Sequence, residues 1–173
     1  DSCGITLGYF DERRLRSADA TAYRPLVITT QAQQLFEIRL LTPGMAQVEE
    51  DINVLWIVHP KALDDTTLYA IDQFILRGGR ALIFVDPFAE IDMSATDPAT
   101  MAAGSSSTLA PLFSAWGVEF APENVVADDR YALSVNSGLG GRPVRHVGLL
   151  GLNELALNNE DIVTSNLGSI NLG

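Results

Sequence analysis

Residues 53–87 read NVLWIVHPKALDDTTLYAIDQFILRGGRALIFVDP, and this stretch decides the fold. Asn53 to His59 is an almost unbroken apolar run closed by Pro60, the pattern of a parallel strand buried on both faces. Asp64 and Asp65 then open a helix running to about Arg77, because short carboxylates accept the unpaired amide hydrogens of a first turn and suit its positive dipole end. Leu68, Ile71 and Ile75 share one stripe at helical spacing with Phe74 beside them, while Asp72, Gln73 and Arg77 face away. Gly78-Gly79 supplies the positive φ at which a helix stops. Arg80 to Val85 is a second apolar run, read as another buried strand and ended by Asp86-Pro87. Strand, capped helix, glycine stop and strand make a βαβ unit, whose crossover is expected to be right-handed.

Working outward, Ile5 to Phe10 reads as a strand ended by the charged cluster Asp11 to Arg16. A short helix is expected over Gln31 to Gln34, and Phe36 to Leu40 alternates as a strand before the Thr42-Pro43-Gly44 turn. On the other side, residues 89–108 are rich in Ala, Ser, Thr and Asp around Gly104-Ser105-Ser106-Ser107, and read as a mobile surface loop. Leu109 to Trp116 is a helix stopped by Gly117. Val118 to Phe120, Val125-Val126 and Asp161 to Thr164 read as short strands, and Tyr131 to Val135 with Val144 to Leu150 as an antiparallel hairpin around a glycine-rich turn. The fold class is therefore α/β, with a mostly parallel central sheet flanked by helices, in a single soluble domain spanning 1–173.

The 173 residues are 47% hydrophobic and 19% charged, which suits one globular domain and excludes global disorder. A formal charge of −11 disfavours nucleic acid and anionic membrane surfaces as partners, because like charge repels phosphate. Cys3 is the only cysteine, so no intrachain disulfide forms. The chain starts at Asp1 and has no apolar run of bilayer length, so it reads as a soluble piece excised from a longer parent.

Chemistry-bearing patterns are sparse. Gly138-Leu139-Gly140-Gly141 lacks the Lys-Ser/Thr pair of a phosphate loop and opens no helix, so it reads as a turn. Two histidines, His59 and His146, and acidic pairs without calcium-loop spacing predict no metal site, and no cofactor is expected. No serine stands on a glycine-flanked elbow, so no catalytic residue is assigned. The candidate binding residues are His59 and Asp86. Each closes a predicted central strand before a proline, at the carboxyl edge where open α/β sheets collect ligands.

The text from Asp51 to Pro87 resembles the GldG-type auxiliary components of ABC transport systems, related to gliding-motility proteins. The resemblance rests on the strand ending His59-Pro60-Lys61, the helix from Leu68 to Phe74, the turn Arg77-Gly78-Gly79-Arg80 and the strand ending Val85-Asp86-Pro87. Ala115 to Glu119, Ile162 to Leu167 and Ile170-Asn171-Leu172 are similar too. The resemblance implies a periplasmic domain of a bacterial inner-membrane protein anchored by helices outside this segment. It implies a flavodoxin-like or class I glutamine-amidotransferase-like sandwich, and a non-enzymatic accessory role beside permease and ATPase subunits, through protein or solute contacts. An amidotransferase would carry a cysteine where this chain has Asp86-Pro87-Phe88. The other readings are a small-molecule or glycan binder at the strand ends and an unusual hydrolase.

Overall fold

The computed structural model describes residues 6–11, 27–89, 106–136 and 142–173. Its contacts divide the chain into two compact units, 1–122 and 123–173, with the boundary just after Pro122 and no linker composition to mark it. The architecture is mixed α/β, with a parallel sheet in the first unit and an antiparallel sheet in the second.

The first unit holds strands β1 (Thr6–Asp11), β2 (Glu37–Leu40), β3 (Val54–Val58) and β4 (Arg80–Phe84), and helices α1 (Val27–Ala32), α2 (Asp65–Leu76) and α3 (Ala110–Trp116). Strand order is β2-β1-β3-β4 and every pairing is parallel. The chain runs outward from β1 to β2 and then restarts on the other side of β1 with β3, so strand order reverses between β1 and β3.

Burial follows from that order. Val54 to Val58 lies between two neighbours, and Leu55, Trp56, Ile57 and Val58 are all buried. Alternation sends them to opposite faces. Leu55 and Ile57 join Ile71 and Phe74 of α2 and Leu109 and Leu112 around α3; Trp56 and Val58 gather Ala32, Phe36 and Ile38 instead. Helices thus flank the sheet on both faces. The apolar run Arg80 to Val85 predicts a second buried strand, and the structure corrects this: the strand is Arg80–Phe84 and it is largely exposed. β4 is the outermost strand, with Leu82 and Phe84 about half exposed. A similar apolar text fills a flanking position, where one side of the ladder has no strand beside it among the described residues.

α2 forms as its sequence dictates. Asp64 is the N-cap, accepting from the Thr67 amide at 2.8 Å and the Thr67 hydroxyl at 3.1 Å. That amide bond is the main reason the Asp64 carboxyl is held below its ordinary value. The helix ends at Arg77, and Gly78 takes φ 94°. Gly79 must be glycine for a different reason: a Cβ there would collide with the ring and carbonyl oxygen of Phe74. Trp116 Nε1 donates to Asp72 Oδ1 at 2.8 Å, tying α3 to α2. Arg39 of β2 pairs with Glu37, Glu49 and Asp51; its bond to Asp51 lowers that carboxyl.

In the second unit β6 (Val144–Asn153) is central, pairing antiparallel with β5 (Ala132–Val135) and β7 (Ser169–Leu172). The expected hairpin is present, its glycine-rich turn lying mostly outside the described residues. Three strand expectations are corrected. Val118 to Phe120 and Val125-Val126 form no strand, because no partner backbone pairs with them among the described residues. Asp161 to Thr164 is a series of turns in which the Asp161 carboxylate accepts from the Val163 amide, and the last strand is β7 instead. α1 also begins four residues before the predicted helix. Of the expected loop 89–108, residues 90–105 lie outside the described residues; Ala89 and Ser107 are buried.

Candidate functional site

The site stands at the carboxyl ends of β3 and β4. β3 stops because Pro60 follows and because His59 turns into the left-handed region at φ 50°, a conformation that costs most residues energy and is tolerated better by His than by branched side chains. His59 still prolongs the ladder by one bond, its amide donating to the Phe84 carbonyl at 2.8 Å. His59 as a whole is 4% exposed.

Ser107 joins the two strand ends. Its Oγ lies 2.8 Å from His59 Nδ1 and accepts from the Asp86 amide at 2.9 Å, while its own amide donates to the Asp86 carbonyl at 2.8 Å. The Asp86 carbonyl also lies 3.4 Å from Oγ, a second acceptor for the hydroxyl hydrogen. Ser107 is 2% exposed. Together these bonds form a clasp that ties the chain returning at residue 106 to the end of β4 and to the imidazole beyond β3. The two residues singled out in the sequence do converge here, but in unequal roles. His59 contributes its ring. Asp86 contributes its backbone, and its exposed carboxylate caps its own turn by accepting from the Phe88 amide at 2.9 Å.

Ser107 is the residue that sequence reasoning missed. It lies in a run of small hydroxyl residues, and nothing in composition or spacing distinguishes it from Ser105 or Ser106. The one available signal is topological: the chain that leaves β4 after Asp86 must meet the sheet again before α3, and the last hydroxyl residues before Leu109 are where it does so.

Beside the clasp opens a crevice of about 460 Å³, between residues 60–63 on one side and 106–111 on the other, with Leu68 of α2. Lys61 lines it and is 7% exposed. The three non-glycine residues with positive φ among the described residues are His59, Ala62 and Leu109, at 50°, 49° and 47°. Ala62 and Leu109 line the crevice and His59 immediately precedes it in the chain. Strain of about 1–3 kcal/mol per residue persists only where surrounding structure enforces it.

As a hydrolytic pair, Ser107 and His59 are poorly placed. The hydroxyl is buried, and one oxygen lone pair is engaged by the Asp86 amide, which lowers its nucleophilicity. Among the described residues no group of three or more His, Cys, Asp or Glu side chains could hold a metal ion.

A family model described as an ABC-type uncharacterized transport system matches residues 16–173. The chain belongs to that family. Its members are auxiliary components of ABC-type transport systems, and the match takes in the whole clasp and crevice as well as the second unit. No curated protein and no solved structure gives a significant match to the chain. Membership therefore sets an accessory role in a transport complex as the context of the site. Among the described residues no helix is long and apolar enough to cross a membrane.

Proposed function

We propose that this chain is a non-enzymatic, periplasmic accessory domain of a bacterial inner-membrane transport complex, of the GldG type, acting through contacts with permease or ATPase subunits or with a solute. The observation that carries the reading is the clasp: Ser107, beside the imidazole at the sheet's carboxyl edge, is buried and bonded to backbone on two sides, within a family of auxiliary transport components. The strand order β2-β1-β3-β4 supports the flavodoxin-like part of the reading, since flavodoxin-type sheets begin with that order and bind ligands where it reverses.

Co-purification tests it. The chain, in its natural parent, is expected to be retained by the permease or ATPase encoded with it, and retention by neither contradicts the transport reading. The 2.8 Å contact between Ser107 and His59 favours one competing reading, a hydrolase. Turnover of p-nitrophenyl acetate that disappears in both Ser107→Ala and His59→Ala would establish it in place of the accessory role.

A further inference from the structure

We infer that the loop joining β6 to β7, residues 154–168, is where the chain docks on a protein partner, its Ile162-Val163 tip entering an apolar pocket rimmed by Lys or Arg. Asn153 and Ser169 face each other across the two antiparallel strands, so a hairpin turn of about two to five residues would close them. The chain uses residues 154–168 for the connection instead. A loop of this length whose ends meet is an Ω-loop, a class that frequently carries function.

The loop is ordered by its own bonds. Side chains of Asn153, Asn158 and Asp161 accept from the amides of Leu155, Glu160 and Val163 at 3.1, 3.0 and 2.8 Å. The Thr164 hydroxyl donates to the Asn158 carbonyl at 2.6 Å, and the Ser165 amide to the Asp161 carbonyl at 2.8 Å. Polar groups therefore hold the loop's shape, while Leu155, Ile162 and Val163 are 81%, 92% and 75% exposed. Ile162 is the most exposed large apolar side chain among the described residues. Aliphatic side chains left in water by a fixed backbone gain free energy when another surface covers them, and the fixed backbone gives up little ordering entropy on docking.

Charge and composition select the partner. Glu160 and Asp161 adjoin the tip, Glu154 lies in the same loop, and residues 147–173 contain no Lys or Arg. A complementary surface is therefore basic around an apolar centre. A lipid surface does not fit: the loop has no aromatic or basic side chain to sit among headgroups, and anionic lipids repel its carboxylates. A second copy does not fit either, because the chain carries a formal charge of −11. The partner meant is a subunit of the transport complex, which rests on the function proposed above.

The test is retention of the chain, in its natural parent, by the permease or ATPase encoded with it. Ile162→Ser combined with Val163→Ser should weaken retention at least about tenfold, the scale of two aliphatic side chains no longer buried at the contact. The melting temperature should stay unchanged, because both side chains are already largely in solvent. Glu160→Lys should weaken retention severalfold at low salt and little at high salt, where the native pairing is screened as well. It leaves the tip's apolar side chains in place and carries the test if the double variant no longer melts cooperatively. Val27→Ser, at a position 78% exposed outside the loop, should change nothing. Equal retention of the native chain and the double serine variant, or of the native chain and Glu160→Lys at low salt, overturns the inference and leaves the transport reading standing. Retention of the native chain by neither subunit overturns both. Flotation with phosphatidylglycerol vesicles that the double variant abolishes would make the tip a membrane contact, and a concentration-dependent dimer that it dissolves would make it a self-contact; either result overturns the inference.

Discussion

Strands β3 and β4 are written in nearly the same alphabet, VLWIV against RALIF, yet β3 is buried at four of its five positions and β4 at none. Position in the sheet makes the difference. β3 has a strand on each side and a packed layer on each face, whereas β4 has one strand neighbour among the described residues and leaves Leu82 and Phe84 about half in solvent. Apolar content therefore marked both as strands, and only the order β2-β1-β3-β4 separated centre from edge. The same contrast extends to the site: β3 delivers a buried ring, and β4 delivers backbone groups that Ser107 can reach.

Stability measurements sharpen the comparison. Ile57→Ala, at a fully buried β3 position, should lower unfolding free energy by about 2–5 kcal/mol, since removed carbon leaves a cavity between β3 and α2. Leu82→Ala in β4 should cost about 0.5 kcal/mol. Urea midpoints at unchanged m-value check both, and equal costs would mean β4 is covered as thoroughly as β3. The connection between the two strands gives the next effect. Gly79→Ala should destabilise by about 1–3 kcal/mol, because the new methyl group meets the Phe74 ring and carbonyl and forces the buried ring to shift. A thermal melt unchanged by this substitution would show that the α2–β4 turn is loose.

The smallest effect is at the start of the same connection. The Asp64 carboxyl is held below its ordinary value of 3.8, so its cap strengthens folding fully above that pH and loses its contribution as pH falls from 3.8 through the folded-state value. Asp64→Asn should therefore flatten the acid side of the melting-temperature profile relative to the native chain and leave the neutral region little changed. Parallel profiles would contradict a titrating cap.

Local signals were strong wherever one element decides its own structure. Asp64, the Leu68–Phe74 stripe and Gly78 placed α2 to within a residue, because cap, periodicity and stop agree along one segment. β3 was legible for the same reason, through its apolar run and Pro60. Val125, Val126 and Ile162 misled, because β-branched residues report a preference for extended backbone and a strand also needs a partner ladder. The candidate site was half legible. His59 and Asp86 stood out as strand-end residues before prolines, but Ser107 reaches them from 21 residues beyond Asp86, a distance over which no local pattern operates. The crevice was invisible for the same reason, since Lys61 and Thr108 come together only when the chain returns to the sheet.

Amide hydrogen exchange at Asp86, in the native chain and in Ser107→Ala, tests the clasp on which the functional reading depends. The Asp86 amide should be protected in the native chain and exchange markedly faster once the serine oxygen is removed, with the β3 amides unchanged. An Asp86 amide that exchanges at the same rate in both proteins would show that Ser107 does not hold the ends of the two strands together, and would leave its hydroxyl free to act as a nucleophile.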